Sequence, residues 1–304
     1  NLYYDLQRHA EVEPYYQRAY ALRLAALGPD HPDIAASLNN LANNALELGR
    51  PAEAAEMHAR ALVIYERSFG PRHPEVAVSL ANGAMVVAAL GRTAEAQAML
   101  EKALAIQEEA LGPDHPELAV TLNTLGNLHF ASADFAGAAR EYERAVTLSE
   151  RVAAPDPSEL ALWLYNLGNT LVMLERQADA RAAFARSLAL ADRAQVSTRQ
   201  VLLPLLALAR LELEAGELAV ARELSARALA IDTAGLEPLE VAELRFIAAR
   251  ALWTGDADSR GQALALADEA LALLVRHAPE AKLRAEVEVW QRPRRASTLQ
   301  KTLR

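Results

Sequence analysis

The feature that most limits what this chain can fold into is a repeat. The run from Gly28 to Phe69 reads GPDHPDIAASLNNLANNALELGRPAEAAEMHARALVIYERSF. Its opening returns at Gly70 (GPRHPEVAVSLANGA) and at Gly112 (GPDHPELAVTLNTLGNLHF), 42 residues further on each time. A unit of this length cannot bury its apolar face alone, so stacked neighbours must complete one another's core. An elongated array is expected rather than two globular domains.

Each unit divides into two helices. At about 100° per residue, Ile34, Leu38, Leu41, Ala42, Ala45 and Leu48 fall on one side of a first helix, A. Ala36, Asn39, Asn43 and Glu47 fall on the other. Pro32 suits the first helical position, Asp33 complements the helix dipole, and Gly49 marks the stop. A second helix, B, starts at Pro51 and directs Ala54, His58, Ala61, Leu62 and Tyr65 inward. Glu56 and Arg60 stand four residues apart on its outer face, the spacing of a favourable ion pair.

Three columns of small residues follow the period. Helix B carries Ala54, Ala96, Ala138, Ala180, Ala221, Ala263 and, one turn on, Ala61, Ala103, Ala145, Ser187, Ala228, Ala270. Helix A carries Ala42, Ala84, Gly126, Gly168, Ala209, Ala248. Such columns let two backbones approach closely, and larger side chains there would overpack the contact. Together with the preceding leucine column they resemble the tetratricopeptide-repeat signature. The GPDHP turn, the LNNLA run at 38–42 and the long period are similar to its kinesin-light-chain-like subclass, of bacterial type. The resemblance covers about residues 1–279. It implies an all-α fold: a right-handed superhelical solenoid of antiparallel helix pairs.

In that register, residues 1–27 are a partial repeat, with Asn1–Arg8 ending a helix A and Pro14–Leu27 forming a helix B. Six repeats follow at 28–69, 70–111, 112–153, 154–195, 196–235 and 236–279. Pro204 should bend the fifth A helix, and Gly255–Gly261 reads as a lengthened A–B turn. Residues 280–291 read as a capping helix and 292–304 as a basic tail. The incomplete first repeat and the non-methionine start imply a segment of a longer protein, whose open N-terminal edge could self-associate. In the leucine column Leu41, Gly83, Leu125, Leu167, Leu208, Ile247, the glycine is the odd member. It predicts a local defect filled by Met85 or Val87, or else a soft point in the array.

Composition narrows the function. Apolar residues make up 52% and aromatics 5%, which suits close-packed helices. There is no cysteine, so no disulfide or thiolate metal site. No stretch of 18 apolar residues and no signal peptide are evident, so a cytoplasmic location without membrane attachment is expected. A net charge of −9 argues against nucleic acid as the main partner. His31, His73 and His115 lie a whole repeat apart and cannot converge on one metal. They read as turn residues, His58 as a satisfied core histidine, and His129 as lacking companions. No phosphate loop, nucleophile elbow or paired acids are found, so neither catalytic residues nor a cofactor are expected.

The expected site is the face of helix A turned away from helix B, which lines the concave groove in arrays of this kind. Its candidates are Asn39, Asn43, Met85, Asn123, Asn127, Phe130, Tyr165, Asn169 and Met173, with Arg210 and Arg245 as the groove cations. Amides can bond the backbone of an extended peptide, and the aromatic and methionine side chains offer apolar pockets. Relatives that clamp a terminal carboxylate do so with lysines, and the groove columns hold none. The expected function is therefore non-catalytic binding of a peptide or protein partner. By resemblance, the parent is a larger bacterial protein such as a serine/threonine kinase, a caspase-like protease or a nucleotide-binding switch protein.

Overall fold

The structure, a computed structural model, describes residues 9–152, 156–194, 197–253 and 256–302, with side chains from Ala10 to Arg294. Among the described residues there are fourteen helices and no strand. The expected A-helix tail at residues 1–8 lies outside them. Contacts group the chain into two compact units, residues 1–155 and 156–304.

The first unit holds α1 (His9–Leu27), α2 (Pro32–Glu47), α3 (Pro51–Phe69), α4 (Pro74–Ala89), α5 (Thr93–Leu111), α6 (Leu118–Ala131) and α7 (Phe135–Glu150). Helix α1 starts five residues earlier than Pro14 suggested and runs through it. The pairs α2/α3, α4/α5 and α6/α7 are A/B hairpins, each stacked on the next.

Local chemistry sets the helix starts. His31 and His73 are the N-caps of α2 and α4, and each Nδ1 accepts the backbone N–H two residues on, at 3.1 and 3.2 Å. His115 does the same for Glu117 at 3.3 Å. In α2 and α4 this histidine is thus a capping acceptor placed before Pro at N1, whereas α6 starts two residues later, at Leu118.

The small-residue columns are where the helices touch. Every alanine in them is fully buried, and Ser187 is 1% exposed. Outer faces are tied between repeats: Lys102 Nζ lies 3.0 Å from Glu66 and Arg144 Nη2 2.6 Å from Glu108. Arg60, expected to pair along its own helix, donates to the Tyr20 hydroxyl of the preceding B helix.

The second unit holds α8 (Pro157–Met173), α9 (Gln177–Ala194), α10 (Thr198–Ala215), α11 (Leu218–Leu229), α12 (Pro238–Leu252), α13 (Ala257–His277) and α14 (Lys282–Thr302). Helix α10 is capped by a reciprocal Ser197–Gln200 box and runs through Pro204 without interruption. Part of the lengthened turn expected at 255–261 lies outside the described residues, and from Ala257 on the rest of it is helical. Asp256 caps α13, accepting from Ser259 N at 2.8 Å, and the helix starts at Ala257.

Helix α14 closes this unit. Val287 is fully buried, and Trp290 packs edge-on against Phe246 and Trp253 at 5.8 and 5.6 Å. Gln291 donates to Asp268, and the Arg294 guanidinium stacks 4.4 Å over the Trp290 ring. The basic residues from Arg292 to Lys301 therefore continue one helix through Thr302.

The A–B turns carry a strain that the repeat does not share. Gly49, Gly91 and Gly216 sit in the left-handed region there, but the aligned positions in repeats three and four are Ala133 (φ 59°) and Glu175 (φ 60°). A residue with a Cβ pays roughly 1–2 kcal/mol in that conformation. Ala133→Gly and Glu175→Gly should each raise stability by about 1 kcal/mol, read as a higher urea midpoint with an unchanged slope. A lower midpoint in either variant would show that these turns are not strained.

Candidate functional site

In the first unit, the A-helix faces turned away from the B helices leave an apolar stripe uncovered. Val78, Met85 and Val120 are 47%, 56% and 54% exposed, although they belong to otherwise well-packed helices. The arrangement follows from the 3.6-residue period. Positions such as Leu38, Leu41, Ala42 and Ala45 reach the core, and those between them cannot.

Amides flank the stripe. Asn43 and Asn123 are half-buried and Asn127 is exposed. The Asn127 Oδ1 accepts from the Tyr142 hydroxyl at 2.6 Å, so this amide is braced from helix B. Phe130 is half-buried, its ring edge-on to Phe135 at 5.3 Å.

Asn39 belongs elsewhere. It is buried, and its Oδ1 accepts from the Nδ1–H of His58 at 3.0 Å, between α2 and α3. The side chain turns toward helix B, so the amide serves the A–B contact rather than the open face. His129 is likewise structural, its Nδ1 2.8 Å from Asp134 Oδ2. Asp134 caps α7 through Gly137 N, and that backbone hydrogen bond, with His129 beside it, holds its carboxyl below the usual range.

In the second unit, Met173 is 52% exposed and Asn169 is half-buried. Tyr165 is half-buried with its ring 5.8 Å from Phe184. Arg210 is exposed and ion-paired with Glu243 of α12. Arg245, in the same column as Asn39, turns to helix B and pairs with Glu269 at 3.1 Å. Both expected cations are therefore already matched by carboxylates.

Arg210 borders a hollow of about 570 Å³ between α10, α12 and α14, floored by Phe246 and Ile247. Its rim mixes Lys282 with Glu243 and Glu286. The groove columns contain no lysine, but the closing helix brings one, a juxtaposition the repeat register could not show. Opposed by those carboxylates, Lys282 does not make a one-signed clamp. Among the described residues, no group of histidines and acids could hold a metal ion, and no helix is long and apolar enough to cross a membrane.

Helix pairs of this length, meeting through buried alanine columns, can be compared with known proteins. The tetratricopeptide-repeat family model matches residues 1–67, 47–109 and 84–151. Residues 1–151 are tetratricopeptide repeats. Solved structures extend the likeness over more of the chain. Pseudomonas aeruginosa pilF superposes with a TM-score of 0.62 at 19% identity, covering 85% of this chain and 98% of its own. A putative kinesin light chain from Podosopora anserina, with nearly identical tetratricopeptide-like repeats, gives 0.58 at 22% identity, covering 68% and 99%. YrrB, described as a tetratricopeptide protein with an unusual peptide-binding site, gives 0.50 at 19%, covering 77% and 98%. At these identities the likeness speaks for the fold alone. No curated protein matches the chain.

Proposed function

We propose that this tetratricopeptide array is a non-catalytic recognition scaffold that seats an extended segment of a partner protein on the open faces of its A helices. The observation that carries the reading is the uncovered stripe of Val78, Met85 and Val120 on consecutive A helices, flanked by Asn43 and Asn127. Exposed apolar side chains that line up on two successive repeats mark an interaction surface, and amides beside them match a peptide backbone. YrrB supports the reading as a similar fold with a peptide-binding site. Within the same proposal, the chain is of the kinesin-light-chain-like, bacterial type. It acts in the cytoplasm as the recognition part of a larger protein.

Because Arg210 and Arg245 are already paired, binding should depend weakly on salt in both units. The test is selection of peptides from a random library, followed by affinity measurement with the Met85→Glu/Val120→Glu variant. Both side chains are exposed, so helicity and melting should hold while affinity falls by about tenfold or more. Peptides that bind the variant as well as the parent protein would place recognition elsewhere.

A further inference from the structure

The first unit contains a chamber unrelated to the open A-helix face. It has a volume of about 310 Å³ and lies over α4, between α3 and α5. Its cause is Gly83. The aligned residues Leu41, Leu125, Leu167, Leu208 and Ile247 are all buried in the core, and here that side chain is missing. Neither Met85 nor Val87 replaces it. Met85 is exposed, and Val87 only lines the wall. The nearest atom is the terminal methyl of Met99, 3.0 Å from where a Cβ on Gly83 would stand.

Two polar atoms at this chamber have no partner. His58 and Ser79 both line it and are 3% and 1% exposed, yet His58 Nε2 and Ser79 Oγ make no hydrogen bond. A buried polar atom left unpaired costs on the order of 1–3 kcal/mol, so both atoms gain from a ligand that pairs them. Their chemistry is specific. The His58 Nδ1–H is given to Asn39, which leaves Nε2 as a lone-pair acceptor. Burial pushes the imidazole down to about 4, so the ring stays neutral and Nε2 stays an acceptor at physiological pH. The Ser79 hydroxyl can donate or accept. The remaining wall is apolar, with Leu80, Val87 and Met99. At the rim, Arg92 pairs with Glu95 at 2.6 Å, leaving no net charge there.

We propose that the chamber beneath Gly83 is a binding site for a compact, uncharged molecule that carries a hydroxyl or N–H donor on an apolar body of one or two rings. The donor meets His58 Nε2, the ligand heteroatom accepts from Ser79 Oγ, and the apolar body takes the place of the missing leucine. Met99, an unbranched side chain at the rim, swings aside to admit it. An anion is disfavoured because Nε2 offers a lone pair, and a cation because no carboxylate stands free in the chamber. Size fits as well, since small-molecule pockets start near about 300 Å³.

The test uses the whole chain and phenol as the probe, with toluene as the same shape lacking the donor. The readouts are the Met99 methyl and His58 ring resonances. Phenol at up to about 10 mM should shift both saturably, and toluene should bind about tenfold more weakly. Gly83→Leu should remove phenol binding, because the leucine occupies the chamber while the Met99 methyl rotates away. Ser79→Ala, which leaves the packing intact and the His58 bond in place, should weaken phenol about threefold and leave toluene unchanged. It serves if Gly83→Leu folds poorly. No saturable shift, equal affinity for toluene, or undiminished phenol binding in Ser79→Ala would each overturn the proposal. Any of them would mean that the chamber holds water or nonspecific apolar solutes only.

Discussion

Acidification from pH 7 to below 4 should destabilise the first unit by about 3 kcal/mol through His58 alone. The imidazole is held down to about 4 by burial, against an ordinary value of 6.5. Between those two values the unfolded chain binds a proton that the folded chain refuses. Stability is therefore full above about pH 6.5, falls as the pH drops through that window, and stops falling below about 4. The groups around the ring do not offset this: Asn39 is neutral, and Arg92 and Glu95 at the chamber's rim pair with each other. Other carboxylates add their own acid sensitivity, so the measurement must be a difference. Repeat two shows how to take it, because it carries Ala81 and Leu100 where repeat one has Asn39 and His58. The Asn39→Ala/His58→Leu variant should lose about 3 kcal/mol less than the parent protein over the same pH range in urea unfolding. Parallel pH profiles for the two proteins would show that His58 titrates normally in the fold.

Gly168→Ala should cost the second unit about 2 kcal/mol, although alanine is the better helix former by about 1 kcal/mol. A Cβ on Gly168 would stand 2.5 Å from the Phe184 ring, which is 1% exposed and has nowhere to go. The reason lies in how A and B helices share volume. Where helix B presents an aromatic ring, Tyr142 or Phe184, helix A opposes it with Gly126 or Gly168. Where helix B has Leu100 or Ser225, helix A has Ala84 or Ala209. Repeats two, three and four keep a similar summed volume at this contact and divide it differently. Adding Phe184→Leu to Gly168→Ala recreates the Ala84/Leu100 pairing and should recover most of the loss, with a coupling of at least about 1 kcal/mol. Additive effects, or a Gly168→Ala variant as stable as the parent, would disprove the volume exchange.

These residues mark the line between what the order of amino acids determines by itself and what packing decides. The 42-residue period, the alternation of A and B helices and the alanine columns were legible, because a 3.6-residue helix repeats its buried face at fixed offsets and small residues recur wherever backbones approach. The open A-helix face was legible for the same reason, as the exposure of Val78, Met85 and Val120 shows. Contacts between helices were not. Asn39 and Asn43 differ by one helical turn and read alike, yet one is buried against His58 and the other lies toward the open face. Met99, sixteen residues from Gly83 and on another helix, is the side chain that meets the gap, where its neighbours along α4 seemed nearer. Lys282 reaches the hollow beside Arg210 only because α14 folds back on the last repeat. A period reports which way each side chain leaves its own helix. Which neighbour it meets, and whether its polar atoms find a partner there, depends on volumes and distances that exist only once the helices are packed.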